Sequence, residues 1–210
     1  MAAPQDLTLV YFDAPWRAEP IRYILSYGKI AFNDDRIPLQ LYFEKKPSLD
    51  LPFGQIPTFN INGTTYAQTN AIARYAAKLT GLYPSDPLEA LEVDMIVDAA
   101  VEATMAIVDA LHSFKNDEDQ AKAVAEFNKS LLPRILHGLE KRVVGPYFTG
   151  DKVTAADFYW LHVYYHAWTT NLNHVEASPA DFPKLKAIAT TLHACDELAD
   201  YFAKHKQENV

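Results

Sequence analysis

Every strand-like segment of this 210-residue chain lies before residue 84, and only helical patterns follow. The change falls at Pro84-Ser85-Asp86-Pro87, a stretch typical of a linker. A mixed segment of about 80 residues followed by a strandless segment predicts two domains with different architectures. We expect an α/β domain over residues 1–82 and an all-helical domain over residues 89–210.

The first segment carries signals for a small mixed sheet. Two strand-like runs, Leu7 to Phe12 and Phe32 to Ile37, flank residues at helical spacing, which predicts a right-handed parallel crossover. Asn62-Gly63 then joins the runs Thr58 to Ile61 and Thr64 to Ala67, the strongest short signal for a β-hairpin. The pattern turns helical at Thr69 and ends at Gly81. Residues 38–51 between these elements are expected to be irregular.

The second segment shows four apolar runs at three- and four-residue spacing, each predicting a helix. Pro133 is expected to kink the second run. Thr154 and Asp157 resemble a capping box at the start of the third, so we interpret Asp157 as a folding residue. The runs are Leu88 to Phe114, Ala121 to Val144, a third opening at Thr154-Ala155-Ala156-Asp157, and a fourth from Phe182-Pro183 to Leu198.

Composition excludes several classes of protein. The formal net charge of -8 disfavours a nucleic-acid partner. One cysteine, Cys195, cannot form an intrachain disulfide, and its place in the last apolar run indicates a packing role. No signal sequence or membrane-spanning run is evident, so we expect a cytoplasmic protein without membrane association.

Several motifs, in the same order along the chain, resemble those of cytosolic glutathione S-transferases, closest to the sigma class that includes glutathione-dependent prostaglandin D synthases. The resemblance covers nearly the whole sequence. It rests on Tyr11-Phe12, on Arg17 to Leu25, on Pro52 to Pro57, on Gln68-Thr69 with Ala71 to Tyr75, on Val93-Asp94 with Ile96 to Asp98, and on Val153 to Trp160.

The resemblance implies a thioredoxin-like first domain, an all-α second domain, a homodimer and glutathione as co-substrate. In the family, the peptide bond before the proline matching Pro57 is cis, and the preceding residue pairs with glutathione like an added strand. The residues matching Gln68 and Thr69 meet the γ-glutamyl carboxylate at a helix start. The glutathione-binding residues implied are Tyr11, Arg17, Tyr42, Lys46, Gln55, Ile56, Pro57, Gln68, Thr69 and Glu102 of the partner subunit.

Tyr11 is the candidate for chemistry, assisted by Arg17. Only the thiolate of glutathione is a good nucleophile, and a tyrosine hydroxyl that donates a hydrogen bond to it lowers the pKa of the thiol. No cysteine lies between Phe12 and Arg17, where a thioredoxin or glutaredoxin has its reactive thiol, so disulfide exchange is disfavoured.

The electrophile is expected to be a small hydrophobic molecule. Where the family pattern has Arg-Gly-Arg, this chain has Pro15-Trp16-Arg17, which places a bulky ring beside the expected sulfur position. The residues that the resemblance suggests for the electrophile pocket are Phe12, Trp16, Thr104, Val108 and Tyr159.

Each signal also has a plainer structural explanation. Thr69 could simply cap a helix, and Lys46 beside another lysine could lie on a solvated surface. The acidic stripe of Asp94, Asp98 and Glu102 could be a solvated helix face. His162 and His166 have a spacing that could bind zinc, but no third ligand is evident, so no metal site is expected.

Three functions remain open at this point. The leading hypothesis is transfer of glutathione to an electrophile. The alternatives are a glutathione-dependent isomerase or peroxidase, and a non-catalytic binding or structural protein of the same family, as in lens crystallins.

Overall fold

The computed structural model describes residues 6–112, 116–168 and 175–205; for residues 111, 112, 167 and 168 it describes the backbone only. The chain divides into two compact units between Tyr83 and Pro84. Each unit is described by itself.

The first unit is a four-stranded mixed sheet with helices. The strands run in the order β2-β1-β3-β4, in which β1 is parallel to β2 and antiparallel to β3, and β3 is antiparallel to β4. The predicted strand–helix–strand crossover is therefore present. The elements are β1 (Leu7–Phe12), α1 (Glu19–Tyr27), β2 (Asn33–Ile37), α2 (Tyr42–Lys45), β3 (Thr58–Ile61), β4 (Thr64–Ala67) and α3 (Thr69–Leu79).

Alternation along β1 places its odd-numbered residues in the core. Leu7, Leu9 and Tyr11 are buried, whereas the residues between them are partly exposed. Helices α1 and α3 pack against each other. Gly28 follows α1, and a Cβ there would lie 2.1 Å from Cγ2 of Thr80, so only glycine allows this approach.

The hairpin forms as the Asn-Gly signal predicts. Asn62 and Gly63 have φ angles of 50° and 88°, both in the left-handed region that a type I′ turn requires. The segment after β2 differs from the expected irregular stretch, because it winds into short helical turns at Leu39–Leu41, α2 and Lys46–Ser48.

The second unit is helical. Within its described residues, the β-type contacts amount to one isolated bridge between Tyr147 and Gly150. Helices α4 and α7 pack together, and Trp160 of α7 is fully buried with its indole N–H donating to the carbonyl of Leu185 at 2.7 Å. The helices are α4 (Pro87–His112), α5 (Asp117–Glu126), α6 (Leu132–Arg142), α7 (Ala155–Trp168), α8 (Pro183–His193) and α9 (Asp196–Lys204).

Two helix predictions in this unit need correction. The break in the run Ala121 to Val144 precedes Pro133: a π-helical turn, Phe127–Leu131, joins α5 to α6, and the proline lies in the first turn of α6, where its missing N–H does no harm. The last run does not continue to Leu198. It ends at His193, and the half-buried Cys195 is the N-cap residue of α9 and not a residue within a helix.

Among the residues described, no helix is long and apolar enough to cross a membrane.

Candidate active site

The predicted glutathione residues of the first unit lie around one edge of its sheet. At this edge, the last pair between β1 and β3 is Val10 with Thr58, and the last pair between β3 and β4 is Thr58 with Ala67. Tyr11 of β1 comes one residue beyond Val10, and Pro57 and Gln68 directly flank β3 and β4. The carboxyl end of β2 pairs with the carboxyl end of β1, so the segment with Tyr42 and Lys46 leaves from the same edge. The sheet register thus gathers side chains that are far apart in sequence.

Tyr11 is buried at this edge, with 3% of its surface exposed. Burial raises the pKa of its hydroxyl, against the opposing effects of a hydrogen bond from the backbone N–H of Arg17 and the positive charges of Arg17 and Arg22. The hydroxyl therefore stays protonated at neutral pH. It accepts one hydrogen bond and keeps its own proton to donate to a ligand.

Arg22 holds the backbone that follows Tyr11. Its fully buried guanidinium donates from Nη1 to the carbonyl of Ala14 at 2.7 Å and from Nη2 to the carbonyl of Phe12 at 3.2 Å. Its Nε donates to both carboxylate oxygens of Asp34 at 3.1 Å, and Nη1 also meets Glu19 at 3.3 Å. We call this arrangement the Arg22 clamp.

Sequence reasoning missed the Arg22 clamp. The available signal was an arginine between Ile21 and Tyr23, within a run of apolar residues that are buried. A buried arginine needs charge partners and carbonyl acceptors. Its acceptors lie 3 to 12 positions away, and only the folded chain identifies most of them.

The turn between β1 and α1 carries Trp16 in an unusual backbone conformation. Its φ is 29°, a region that bulky residues rarely adopt. The indole is 40% exposed and meets the ring of Phe12 edge-on, with centroids 5.8 Å apart. Phe12 in turn meets Tyr11 at 5.2 Å and Tyr42 at 4.9 Å, so the turn is lined by aromatic rings.

Tyr42 and Lys46, two of the predicted glutathione residues, lie close to each other. The ammonium of Lys46 stands 5.8 Å from the centroid of the buried Tyr42 ring. Tyr42 can thus guide the lysine side chain, which is half-buried at the foot of α2.

The segment before β3 has the expected backbone. The peptide bond between Ile56 and Pro57 is cis, as the resemblance implied. Ile56 and Pro57 are buried, whereas Gln55 is exposed.

Helix α3 begins directly after this edge. Its N-cap residue, Gln68, has a φ of 78° and makes no side-chain hydrogen bond that caps the helix. The first N–H groups of an α-helix have no carbonyl partner within it, and they carry a partial positive charge. Gln68 is exposed and Thr69 half-exposed, so this helix start is accessible to a carboxylate.

The predicted site residues of the second unit lie on two helices. The carboxylate of Glu102 accepts a hydrogen bond of 2.5 Å from Arg134 of its own chain. On the same helix, the hydroxyl of Thr104 donates to the carbonyl of Ala100 at 3.0 Å and Val108 is half-buried. Tyr159 on α7 is only 4% exposed and packs inside the helical core.

Asp157 is a structural group. One carboxylate oxygen accepts from the N–H of Phe148 at 3.0 Å, and the other accepts from the N–H of Thr154 at 2.8 Å and its hydroxyl at 3.0 Å. Burial raises the pKa of Asp157 to about 6, against these donors. The predicted folding role is confirmed by this network.

The histidine pair of α7 is stacked, with ring centroids 5.7 Å apart. His162 is buried, and its Nε2 has no hydrogen-bond partner among the described residues. Burial, with the nearby His166, lowers the pKa of His162 to about 3, so this side chain is neutral. Over the ranges that the structure describes, no three His, Cys, Asp or Glu side chains cluster as metal ligands would.

An apolar cavity of about 340 Å³ lies in the first unit, and none of the predicted site residues lines it. It is lined by Phe59, Ile61, Tyr66, Ala67, Ala71, Ile72 and Tyr75. Tyr66 and Tyr75 are themselves exposed, which leaves an apolar surface over β3, β4 and α3.

Comparisons with known proteins agree with this geometry. Residues 6–78 match the family "Glutathione S-transferase, N-terminal domain", and residues 104–205 match "Glutathione S-transferase, C-terminal domain". Hematopoietic prostaglandin D synthase of Gallus gallus is 32% identical over 96% of this chain and 98% of its own. Glutathione S-transferase S1 of Drosophila melanogaster is 27% identical over 97% of this chain and 80% of its own.

A solved structure is similar over its whole length. It is that of rat hPGDS in complex with a quinoline, with a TM-score of 0.82 and 28% identity over 98% of this chain and 100% of that one. The two units thus form the thioredoxin-like and all-helical domains of a fold whose known members include enzymes named as transferases and synthases. The chain belongs to the glutathione S-transferase family.

Proposed function

We propose that the protein is a sigma-class-like glutathione transferase that activates the thiolate of bound glutathione for attack on a small hydrophobic electrophile. The observation that carries the proposal is the sheet edge, where a protonated Tyr11 lies beside cis-Pro57 and the start of α3.

Each part of glutathione has a candidate receptor at this edge. The γ-glutamyl carboxylate is assigned to the start of α3, with Gln68 and Thr69. The backbone of Ile56 pairs with the cysteinyl residue, and the glycyl carboxylate meets Lys46 beside Tyr42. Gln55 completes the rim. The support is that these residues leave neighbouring strands at one edge, and that α3 has no side-chain cap from Gln68.

The chemistry follows from the protonation state of Tyr11. A free thiol with a pKa near 8.5 is mostly protonated at pH 7. The hydroxyl of Tyr11 donates to the sulfur and stabilises the anion, and the charge of Arg17 acts in the same direction. The thiolate then attacks the electrophilic carbon, forms the carbon–sulfur bond and expels the leaving group or adds across an activated double bond.

We propose lining residues for the electrophile pocket in each unit. Phe12 and Trp16 supply aromatic surface in the first. Thr104 and Val108 offer partly exposed side chains in the second. The burial of Tyr159 makes it the weakest of the proposed lining residues.

We further propose a cytoplasmic homodimer with a role in detoxification. Support for a second copy comes from the exposed apolar surface over β3, β4 and α3 and from Leu88, Leu91 and Met95, exposed along one face of α4. The proposed contact of Glu102 of the partner subunit with the γ-glutamyl amine requires Glu102 to leave Arg134 or to share it.

An isomerase of prostaglandin type is the second candidate. The observation that favours it is the similarity to the avian prostaglandin D synthase over nearly the whole of both chains. Both reactions need the same activated thiolate, so the two candidates differ in the electrophile and not in the role of Tyr11.

The test is Tyr11→Phe, which removes one oxygen and keeps the ring. We expect the thiolate absorbance of bound glutathione to titrate at a higher pH, toward the value of free glutathione, with affinity changed little. Each unit by which the pKa rises above the assay pH leaves about tenfold less thiolate, and conjugation of an aryl halide should fall in proportion to the thiolate fraction. Mutant and parent rates should converge at high pH. Equal thiol pKa values in the two proteins would falsify the assigned role, and failure of the parent to bind glutathione would contradict the proposed function itself.

A further inference from the structure

The turn between β1 and α1 keeps a backbone conformation suited to glycine while carrying the largest side chain. The φ of Trp16 is 29°. The family pattern has glycine at this position, which adopts positive φ without strain. A residue with a Cβ is strained here, and such strain persists where the surroundings hold it and a function uses it.

The surroundings do hold it. The Arg22 clamp fixes the carbonyls of Phe12 and Ala14, on the amino-terminal side of the turn. On the other side, Trp16–Ala18 forms one helical turn whose Ala18 is fully buried, and α1 follows directly. The backbone of Trp16 therefore has fixed points before and after it, and its side chain is directed by the turn.

The indole is held among aromatic rings and still leaves surface open. Phe12 meets it edge-on at 5.8 Å with an interplanar angle of 74°, and Phe12 also contacts Tyr11 and Tyr42. With 40% of its surface exposed, Trp16 is the most open ring of these four. A flat aromatic group beside Tyr11 would find ring edges and faces to pack against, and aromatic pairs gain stability beyond the area that they bury.

We propose that Trp16 is the specificity-determining residue of the site and selects planar, aromatic electrophiles over saturated ones of equal size. This inference rests on the proposed function, because the proposed function places the sulfur of glutathione next to Tyr11. It names the substrate class of that same site. The strained turn presents the indole, and the indole packs against the flat group that is joined to the sulfur.

The experiment compares two S-substituted glutathiones with the same number of carbon atoms. S-benzylglutathione carries a planar ring, and S-(cyclohexylmethyl)glutathione carries a puckered saturated one. Calorimetry gives the affinity of each, and of glutathione alone, for the parent, Trp16→Gly and Phe43→Ala. Phe43 is the matched control, because it is an exposed aromatic residue (79%) that contacts Tyr42 at 5.5 Å but lies outside the turn.

We expect the parent and Phe43→Ala to prefer the benzyl compound by about 2- to 12-fold, the range that one aromatic pair supplies. In Trp16→Gly the ratio should fall to about one, with unchanged affinity for glutathione. Trp16→Gly should melt at the parent's temperature or higher, because glycine relieves the strained φ. Should it fold poorly, Trp16→Asn removes the ring and tolerates the same backbone, and its ratio should also be about one.

Three results overturn the inference. One is a parent without preference for the benzyl compound. Another is a preference that survives in both Trp16→Gly and Trp16→Asn. In both cases the proposed function stands if glutathione itself binds. The third is a parent that binds no glutathione, which overturns the proposed function together with the inference that rests on it.

Discussion

Two helices of this protein begin in opposite ways. At the start of α7, the carboxylate of Asp157 accepts two backbone N–H groups and one hydroxyl, all buried. At the start of α3, Gln68 provides no side-chain cap, and Thr69 lies half-exposed at the sheet edge. Both helix starts attract negative charge. In the second unit the carboxylate near the helix start belongs to the chain itself, whereas in the first unit the helix start is accessible to the carboxylate of a ligand.

The polar groups at these two helix starts serve different ends in the two units. The carboxylate of Asp157 is part of the fold, so its loss should change stability and leave binding alone. The open start of α3 is proposed to be part of the site, so changes there should alter glutathione affinity and leave stability nearly alone. Each of the following experiments tests that division.

The largest effect is expected for Asp157→Ala. It leaves the N–H groups of Phe148 and Thr154 without their acceptor in a buried place, at about 1–3 kcal/mol for each unsatisfied group. We expect the free energy of unfolding in urea to fall by about 4 kcal/mol. The glutathione affinity of the protein that remains folded should equal that of the parent. A loss below 1 kcal/mol would show that the network is dispensable.

The pH dependence of Asp157 should come next in size. Its folded pKa of about 6 lies above the unfolded value of 3.8, so its contribution is fully present below pH 3.8 and is lost as the pH rises through 6. The stability of the parent minus that of Asp157→Asn should therefore fall by about 2 kcal/mol between pH 4 and pH 6.5. His162 has the opposite sign, since its pKa is lowered to about 3, but it is present in both proteins and cancels. A flat difference curve contradicts the raised pKa.

At the other helix, Gln68→Ala should weaken glutathione binding by about 2 kcal/mol, because a polar group of the ligand then loses its partner. Calorimetry measures the affinity, and urea unfolding should change by less than about 0.5 kcal/mol. Asn116→Ala is a matched control: Asn116 caps α5 through the N–H of Asp119 at 2.9 Å, so its removal should cost stability and not affinity. Unchanged glutathione affinity in Gln68→Ala would move the γ-glutamyl site elsewhere.

The smallest effects come from a matched pair of threonines. Thr154→Val removes a hydroxyl that donates to Asp157, and Thr69→Val removes one at the start of α3; both keep the branched shape. We expect about 1 kcal/mol of stability to be lost in the first and about 1 kcal/mol of glutathione affinity in the second. A stability loss in both variants, with affinity intact, would mean that Thr69 only caps its helix.

The contrast also explains what the sequence could reveal. Thr154 and Asp157 are three residues apart, so a local rule was enough to pair them, whereas the N–H of Phe148, nine positions away, was not predicted. The hairpin at Asn62-Gly63 was readable for the same reason, because its left-handed φ angles are set by the two residues themselves. The boundaries of α8 and α9 were missed because apolar spacing continues across the break at Ala194 and Cys195.

The candidate site is less local. The cis bond before Pro57 and the positive φ of Gln68 depend on neighbouring strands, and the resemblance alone pointed to the first of them. The Arg22 clamp joins α1 to β2 and to the turn after β1, so no single stretch of sequence predicts it. What could be predicted was the identity of the residues, and what could not was the backbone that presents them.

The Arg22 clamp has a consequence for how such an enzyme can diversify. It holds the turn after β1 through the main-chain carbonyls of Phe12 and Ala14, a group that every amino acid possesses, and these two bonds do not depend on the side chains of the turn. Substitutions at these positions can therefore be sampled with the anchor intact. In a mutational library or over generations, new substrate preferences become reachable by single changes that leave the scaffold standing.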